Sequence, residues 1–354
     1  MKKLIFTCLA LAAITSACTK SEVVETPNID TPITFEAYSG RIPVAKATSI
    51  DNKADLDEFV VYGFTTTKSG EGNSVTYTPD YSSNGQYLNQ TVKYYAASGS
   101  ASDGWKFKSD DVYYWPADGN ELAFVAYSKN VDENAYSNNT TPSLAVSVAN
   151  TVADQKDIMV ADFEQCGAGT KGVVQLDFKH ILSRIHFSVV ADRDLTIYSV
   201  KIFGSFKSEG TVDLTAQSVK ITASTEQSAS VESYEFISDT ENGITVDADA
   251  NGKSIDNTPD STEEDHYMMI IPAEATKIEI EYMFNDDPSN TKYVATADLG
   301  SDFEFAAGKS YLYVLTLTSQ KVSFDVNFNE WDTDTETASS TVSFTIEKNS
   351  LLTY

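Results

Sequence analysis

Short stretches in which apolar and polar residues alternate recur along the whole chain. They cover residues 33–37, 59–64, 122–127, 174–178, 185–189, 212–214 and 311–317. Alternation places the apolar side chains on one face of an extended strand, which is typical of half-buried antiparallel sheets. Pairs such as Asn84-Gly85 and Asn242-Gly243 lie between the stretches and favour tight hairpins. The pattern predicts an all-β protein of antiparallel β-sandwiches, with a helix expected only around residues 144–154.

The strand pattern and the chain length together predict two domains. At about 150 residues per domain, 354 residues correspond to two domains. A second series of strands starts near residue 183, so we expect an N-terminal sandwich over residues 32–183 and a C-terminal sandwich over residues 184–332. Residues 333–354 form a polar spacer followed by one more alternating stretch.

The beginning of the chain has the features of an export signal. Lys2 and Lys3 precede an apolar run over residues 4–14. This run is too short to cross a bilayer core, which requires about 20 residues, and it has the length typical of a signal peptide. Residues 1–17 are therefore expected to be removed from the mature protein.

The end of the signal resembles a bacterial lipobox. Thr15-Ser16-Ala17-Cys18 leads small residues into a cysteine, with Thr15 where leucine or isoleucine is usual. We expect cleavage before Cys18 and lipid on its sulfur, and ordinary secretory cleavage with a thiol at Cys18 is the alternative. Residues 18–31 would then tether the lipid to the fold. With Cys8 removed in the signal and Cys18 lipidated, we expect no intramolecular disulfide at Cys166.

The composition is strongly acidic. The formal net charge is −27, and it becomes −29 when Lys2 and Lys3 leave with the signal. Such a charge repels phosphate backbones and anionic membrane surfaces, which excludes nucleic-acid binding and membrane attachment through a basic patch. Lipid on Cys18 is therefore the expected membrane anchor. Glu22 and Glu25 resemble signals that send lipoproteins of the Bacteroidetes to the outer face of the outer membrane.

Catalytic and metal-binding motifs are weak. His180, His186 and His266 are the only histidines, and none lies in a recognisable catalytic motif. Residues 247–252 open like a calcium loop, but Thr258 stands where a bidentate glutamate is required, which favours an acidic surface loop. The sequence therefore predicts a non-enzymatic protein with no cofactor and no metal.

Several strings resemble, in the same order, the fimbrillin family of the Bacteroidetes. They are Val-Tyr-Tyr-Trp-Pro-Ala-Asp-Gly at 112–119, Leu-Ala-Phe-Val-Ala-Tyr at 122–127, Asp-Ile-Met-Val-Ala at 157–161, Leu-Asp-Phe-Lys-His at 176–180, Ile-Ile-Pro at 270–272, Phe-Ala-Ala-Gly-Lys-Ser-Tyr at 305–311 and Trp331. The resemblance covers essentially the whole mature chain. It implies two transthyretin-like β-sandwich domains and a lipoprotein subunit of a surface fimbria. The implied partners are other fimbrial subunits and, for adhesion, a host or bacterial surface ligand.

The same resemblance implies assembly by strand exchange. In the family a protease cuts after an arginine and removes the first strand, and an extended segment of another subunit fills the groove. The candidate first strand here carries Ile33, Phe35 and Ala37. Arg41 and Lys46 are the candidate processing positions. The remaining alternative is an unprocessed subunit, which would lie at an end of the fibre as anchor or tip or would not polymerise.

The C-terminal stretch offers a candidate donor strand. Val342, Phe344 and Ile346 alternate with polar residues over the length of a strand. This stretch either enters the groove left by the first strand of another subunit or forms the last strand of its own domain.

A surface glycan-binding lipoprotein is the alternative function. Trp105, Tyr113, Tyr114 and Trp115 are close in sequence, and aromatic faces stack on sugars. In an alternating strand at least one of Tyr114 and Trp115 points inward, so packing in the core accounts for part of the cluster.

Overall fold

β-strands joined by turns make up the described part of the chain. The computed structural model describes residues 31–39, 56–71, 74–98, 103–117, 119–138, 141–167, 172–237, 242–255, 267–300, 303–319, 322–331, 340–346 and 352–353. Short 3-10 turns lie at Val152–Asp154 and Gln227–Ala229. The all-β prediction is confirmed. Within the described ranges, no helix has the length and apolar character needed to cross a membrane.

A nine-stranded sheet takes its strands from the first half of the chain. In chain-order numbering they are β1 (Thr34–Ser39), β2 (Glu58–Ser69), β3 (Thr76–Pro79), β4 (Gln86–Tyr95), β5 (Gly104–Phe107), β6 (Leu122–Ser128), β9 (Met159–Ala161), β10 (Glu164–Cys166) and β11 (Val173–His180). The order across the sheet is β1-β11-β9-β6-β2-β4-β5, with β10 beside β6 and β3 beside β2. The sheet is curled, so that its two end strands approach each other. Phe35 of β1 contacts Phe107 of β5 at 5.7 Å between ring centroids.

Two six-stranded sheets form a sandwich in the second half. One contains β12 (Ser183–Ala191), β18 (Asp249–Ser254), β19 (Met268–Ile270), β22 (Lys309–Leu317), β23 (Val322–Glu330) and β24 (Ser340–Ile346). The other contains β13 (Leu195–Lys207), β16 (Ser230–Ile237), β17 (Ile244–Val246), β20 (Ala275–Phe284), β21 (Tyr293–Asp298) and β25 (Leu352–Thr353). Apolar faces of the two sheets meet in one core, where Phe187 of β12 packs on Phe236 of β16.

A four-stranded sheet joins the two halves of the chain. It contains β7 (Tyr136–Ser137), β8 (Ser143–Ser147), β14 (Glu209–Asp213) and β15 (Ile221–Ala223), in the order β15-β14-β8-β7. Two of these strands precede residue 183 and two follow it, so the halves share a sheet. β11 ends and β12 begins beside residue 183, and the division into domains 32–183 and 184–332 stays a prediction.

The prediction of a helix around residues 144–154 is wrong. β8 covers most of its first half, and only the 3-10 turn at Val152–Asp154 is helical within this stretch. Leu144, Val146 and Val148 are buried and alternate with more exposed residues. That period of two suits a strand, and β14 supplies the backbone partners for it.

The nine-stranded sheet is buried on both faces along its middle strand, β6. Along β6, Phe124 faces the core inside the curled sheet, whereas Val125 faces a second core beneath the four-stranded sheet. Val212 of β14, Met269 of β19 and Trp331 belong to this second core. Residues from the second half of the chain therefore help to cover the outer face of the first sheet at β6.

Candidate functional site

β1 is a peripheral strand with one hydrogen-bonded strand neighbour. It pairs with β11 in parallel, from Thr34 opposite Val173 to Ser39 opposite Phe178. The other strand pairs of the nine-stranded sheet are antiparallel. β1 therefore differs from the other described strands of its sheet in direction, and like β5 at the opposite end of the strand order it pairs with one described strand.

The side chains of the first strand that point inward complete the core of the curled sheet. Ile33, Phe35 and Ala37 are all buried, while Thr34 and Glu36 between them are exposed. This strict alternation means that removing β1 would leave a row of apolar pockets beside β11. The candidate first-strand residues therefore occupy a groove formed by the rest of the sheet.

The central pocket of this groove is aromatic. The ring of Phe35 lies edge to face against Phe59, Phe107 and Phe124, at centroid distances of 6.1, 5.7 and 5.9 Å. The interplanar angles are 84° to 85°, the geometry in which the positive edge of one ring meets the negative face of another. We call these three rings the aromatic box; its geometry fits a phenyl side chain.

A backbone clamp holds the beginning of the first strand. The Ile33 amide donates to the Tyr113 carbonyl at 2.7 Å, and the Trp115 amide donates to the Thr31 carbonyl at 3.1 Å. The Thr34 amide donates to the carbonyl of Gly172 at 2.8 Å. Together, Tyr113, Trp115 and Gly172 are called the clamp, and they fix the end of the strand that enters from the tether.

Gly172 in the clamp has two reasons to be glycine. Its φ is +79°, in the left-handed region that other residues rarely adopt. A Cβ at this position would lie 2.8 Å from the Pro32 carbonyl oxygen and 2.9 Å from Cγ2 of Thr31. Residues 31 and 32 therefore lie directly against the backbone of Gly172, where a larger residue would leave too little space.

A cleft separates the outer edge of β1 from β5. It has a volume of about 260 Å³ and is lined by Ile33, Thr34 and Phe35 on one side and by residues 105–107 and 109–112 on the other. The cleft adjoins the clamped end of the strand.

The candidate processing and lipidation positions lie outside the described residues. Arg41 and Lys46 fall in the range 40–55, directly after β1, and Cys18 falls before residue 31. β1 ends at Ser39. A cut after either Arg41 or Lys46 would therefore leave the whole strand on the N-terminal fragment.

The C-terminal stretch forms the strand at one end of its sheet. β24 pairs antiparallel with β23, with Val342 opposite Val326 and Phe344 opposite Phe324. Ile346 follows in the same register, opposite Val322. β25 continues to the other six-stranded sheet and pairs with β21. The tail thus lies on its own half of the chain, as expected of a last strand.

The aromatic residues of the glycan hypothesis mostly support the groove instead. Trp105 is 6% exposed and Trp115 is 2% exposed, and both belong to the core of the curled sheet. The hydroxyl of Tyr113 accepts a hydrogen bond from Gln90 at 2.7 Å. Tyr114 is 44% exposed. The two indole rings are therefore not available as a stacking platform, and Trp115 is the residue of the pair that points inward.

The acidic run at 247–252 contributes to a strand. Residues from Asp249 onward form β18, which pairs with β12 at Ala191 and Val189. In the described part of the chain, no group of three or more His, Cys, Asp or Glu side chains is placed to hold a metal ion. Cys166 is buried in β10, opposite Leu122 of β6.

A cluster of polar and aromatic side chains at the junction of the two halves was missed by the sequence analysis. His180 Nδ1 lies 2.8 Å from Asp157 Oδ2, and both side chains are buried. The guanidinium of Arg184 lies over the rings of Trp331 and Tyr267, at 4.7 and 4.4 Å. The strings that carry the family resemblance supplied three of these residues, but their separation along the sequence gave no sign that they meet.

A second polar contact crosses the same junction. The buried side-chain oxygen of Gln155 accepts a hydrogen bond from the Met269 amide at 2.6 Å, and its nitrogen donates to the Ala149 carbonyl at 2.9 Å. The Ser183 hydroxyl donates to the Ala306 carbonyl at 2.8 Å. The junction is therefore held by specific polar contacts in addition to apolar packing.

A family model described as fimbrillin-like matches residues 45–331. The match covers well over half of the 354 residues. It includes the Asp157, His180 and Trp331 strings that meet at the junction. No curated protein matches the chain.

Three solved structures that are similar to this chain come from Bacteroides, Parabacteroides and Porphyromonas. A candidate cell adhesion protein of Bacteroides uniformis is 17% identical, with a TM-score of 0.50, over 85% of this chain and 100% of that chain. A fimbrial assembly protein of Parabacteroides distasonis is 9% identical, with a TM-score of 0.41, over 84% and 94%. The tip fimbrial protein Mfa3 of Porphyromonas gingivalis is 8% identical, with a TM-score of 0.36, over 81% and 97%.

Proposed function

The chain belongs to the fimbrillin-like family, and on this premise we propose that it is a non-enzymatic subunit of a surface fimbria. In this proposal the subunits assemble by exchanging β-strands, and the fibre acts in adhesion. The observation that carries the proposal is β1, a peripheral strand with one partner strand whose buried side chains complete a core made by other strands. Such a strand is separable from the fold and leaves a groove that fits another strand.

Loss of the first strand would make binding of a replacement strand energetically favourable. Each large apolar side chain that leaves its pocket exposes surface worth about 1.5 to 3 kcal/mol, and β11 loses its backbone partners at the same time. An extended segment with the same alternation satisfies both needs. We propose that a protease removes β1 by cutting after Arg41 or Lys46, and that uncleaved subunits end the fibre as anchor or tip.

The proposed donor is the C-terminal tail of another subunit. Val342, Phe344 and Ile346 repeat the alternation of the first strand, and β24 lies at one end of its own sheet. Because β24 has one partner strand, it can leave with the loss of a single strand pair. In this proposal the tail pairs with β23 of its own chain before it is donated to another subunit.

The proposed location is the outer face of the outer membrane. Lipid on Cys18 would hold the subunit there through the tether at residues 18–31. Replacement of Cys18 by alanine is expected to release the protein from the membrane fraction. Retention of the Cys18→Ala protein without detergent would contradict this anchoring.

A covalent lock on the first strand tests the function. Glu36 and Gln175 are opposite each other on β1 and β11, and both are exposed. The double variant Glu36→Cys and Gln175→Cys, joined by a short thiol crosslinker, is expected to block fibres after cleavage between residues 39 and 51. Each single variant, treated identically, should still form fibres visible by electron microscopy. Normal fibres from the crosslinked protein would contradict strand exchange at this site.

A further inference from the structure

We propose that the strand replacing β1 runs antiparallel to β11, with Ile346, Phe344 and Val342 of a second copy in the places of Ile33, Phe35 and Ala37. This rests on the proposed strand exchange and adds the direction and register of the incoming strand. β1 itself runs parallel to β11, so exchange would reverse the direction of the edge strand.

The aromatic box fixes the centre of the register. Phe35 contacts three rings edge to face, and a phenyl ring restores those contacts. Of the three alternating apolar residues in the tail, only Phe344 is aromatic. With Phe344 in the box, the strand still has two possible directions, which differ in the side chains placed at either end of the groove.

The sizes of the outer pockets distinguish the two directions. Ala37 is 2% exposed and faces inward opposite Leu176, so its pocket holds the smallest side chain of the three. Ile33 adjoins the cleft of about 260 Å³. An antiparallel strand places isoleucine where Ile33 was and the smaller valine at Ala37, whereas a parallel strand forces isoleucine into the pocket of Ala37. Overfilling a packed core is unfavourable, so the antiparallel direction fits better.

Backbone pairing favours the same direction. Antiparallel strands form hydrogen bonds perpendicular to the strands, and this pairing is slightly more stable per residue than parallel pairing. On its other side, β11 already pairs antiparallel with β9, from Phe178 opposite Ala161. An antiparallel donor would therefore give β11 two antiparallel neighbours and a stronger edge than β1 provides.

Crosslinking between copies tests the direction. If Phe344 takes the place of Phe35, then Ser343 lies opposite Gln175 in the antiparallel strand and Thr345 lies there in the parallel strand. One full-length variant, Gln175→Cys, is cleaved with trypsin before residue 51 and mixed with a second variant carrying either Ser343→Cys or Thr345→Cys. A short thiol crosslinker is then added. Gln175→Cys mixed with the unsubstituted chain measures the background from the native cysteines.

The expected result is a crosslinked product with Ser343→Cys at least tenfold more abundant than with Thr345→Cys. A dominant product with Thr345→Cys would overturn the direction and leave strand exchange intact. Polymers in which neither position crosslinks would overturn the tail as the occupant of the groove.

A peptide version separates this proposal from polymer formation. A peptide of residues 340–348, with cysteine at 343 or at 345, is added to the cleaved Gln175→Cys chain. Preferential crosslinking of the 343 peptide supports the antiparallel seat even if the full chain forms no fibre, in which case the proposed function alone fails. Equal crosslinking of the two peptides, or none, overturns the proposal.

Discussion

The indole ring of Trp331 lies flat on the imidazole of His180, with ring centroids 4.1 Å apart and planes inclined by 2°. His180 ends β11 in the first half of the chain, and Trp331 directly follows β23 in the second half. Asp157 completes the cluster through its 2.8 Å contact with His180. The stack joins β11, which pairs with β1, to the end of β23, which pairs with β24. It therefore fixes the position of the candidate groove relative to the candidate donor strand of the same chain.

Truncation of Trp331 is expected to destabilise the fold strongly. The side chain is buried in the core shared by the two halves, and Trp331→Ala would remove its stacking on His180 together with its apolar burial. We expect a loss of about 3 to 5 kcal/mol in the free energy of unfolding, measured by urea denaturation. Trp331→Phe, which keeps an aromatic ring, should lose much less. Equal losses in the two variants would show that the flat stack contributes little.

Substitution of Asp157 tests the buried contact with His180. Asp157→Asn keeps the shape of the side chain but replaces one carboxyl oxygen beside His180 with an amide nitrogen. Because a buried polar group that loses its hydrogen-bond partner costs about 1 to 3 kcal/mol, we expect a loss of this size in the free energy of unfolding. Asp177→Asn, whose side chain is largely exposed beside Lys179, is the matched control and should change stability by less than about 1 kcal/mol. A similarly small effect at Asp157 would show that its contact with His180 contributes little to stability.

Local patterns predicted the strands but could not predict this junction. Alternation with a period of two is a property of neighbouring residues, and it identified the strands around Phe35, Phe124 and Phe187. Asp157 and Trp331 are far apart in sequence and meet only because the halves pack together. The pairing of β8 with β14 is equally non-local, and without it the stretch after Leu144 was interpreted as a helix.

Substitution of Gly172 is expected to loosen the first strand. In Gly172→Ala, the new Cβ meets the Pro32 carbonyl at 2.8 Å, and the left-handed backbone becomes unfavourable by about 1 to 2 kcal/mol. We expect faster loss of the cleaved β1 fragment from trypsin-treated protein, measured by mass spectrometry over time. Gly300→Ala is the control, because Gly300 also has a positive φ of +83° but has open space around its Cβ position. Equal release rates in the two variants would show that Gly172 does not help to hold the first strand.

Glu58 predicts a pH dependence in the curled sheet. The hydrogen bond from the Lys108 ammonium, at 2.6 Å, lowers the pKa of Glu58 below its ordinary value of 4.5, and Lys129 adds to the effect at 3.2 Å. A lowered carboxyl pKa stabilises the fold above the unfolded pKa, and this contribution disappears as the pH falls through the folded pKa. Glu58→Gln is therefore expected to cost about 1 kcal/mol at pH 7 and almost nothing below the lowered pKa.

Denaturation curves of the two proteins at several pH values would check this expectation. The difference between them should also shrink as salt is added, because the lysine partners are about half exposed or less. A constant difference from pH 7 down to pH 3 would indicate that Glu58 acts through packing alone.

A charge at Phe344 tests the tail as donor. In the proposed exchange, Phe344 enters the aromatic box of a neighbouring subunit, where a carboxylate would be buried without a partner. Phe344→Asp is therefore expected to abolish fibres formed after removal of β1, while thermal unfolding of the monomer stays unchanged. Thr345→Asp is the matched control, because residue 345 would point away from the groove and its charge would remain in solvent.

The two outcomes of the Phe344→Asp monomer separate the roles that the sequence left open for the tail. β24 pairs with β23 in the same chain, so a loss of several kcal/mol in monomer stability would show that Phe344 belongs to the core of its own half. Normal fibres from Phe344→Asp would exclude the tail as donor and leave another extended segment for the groove. Folded monomers without fibres, together with normal fibres from Thr345→Asp, are the result that strand donation requires.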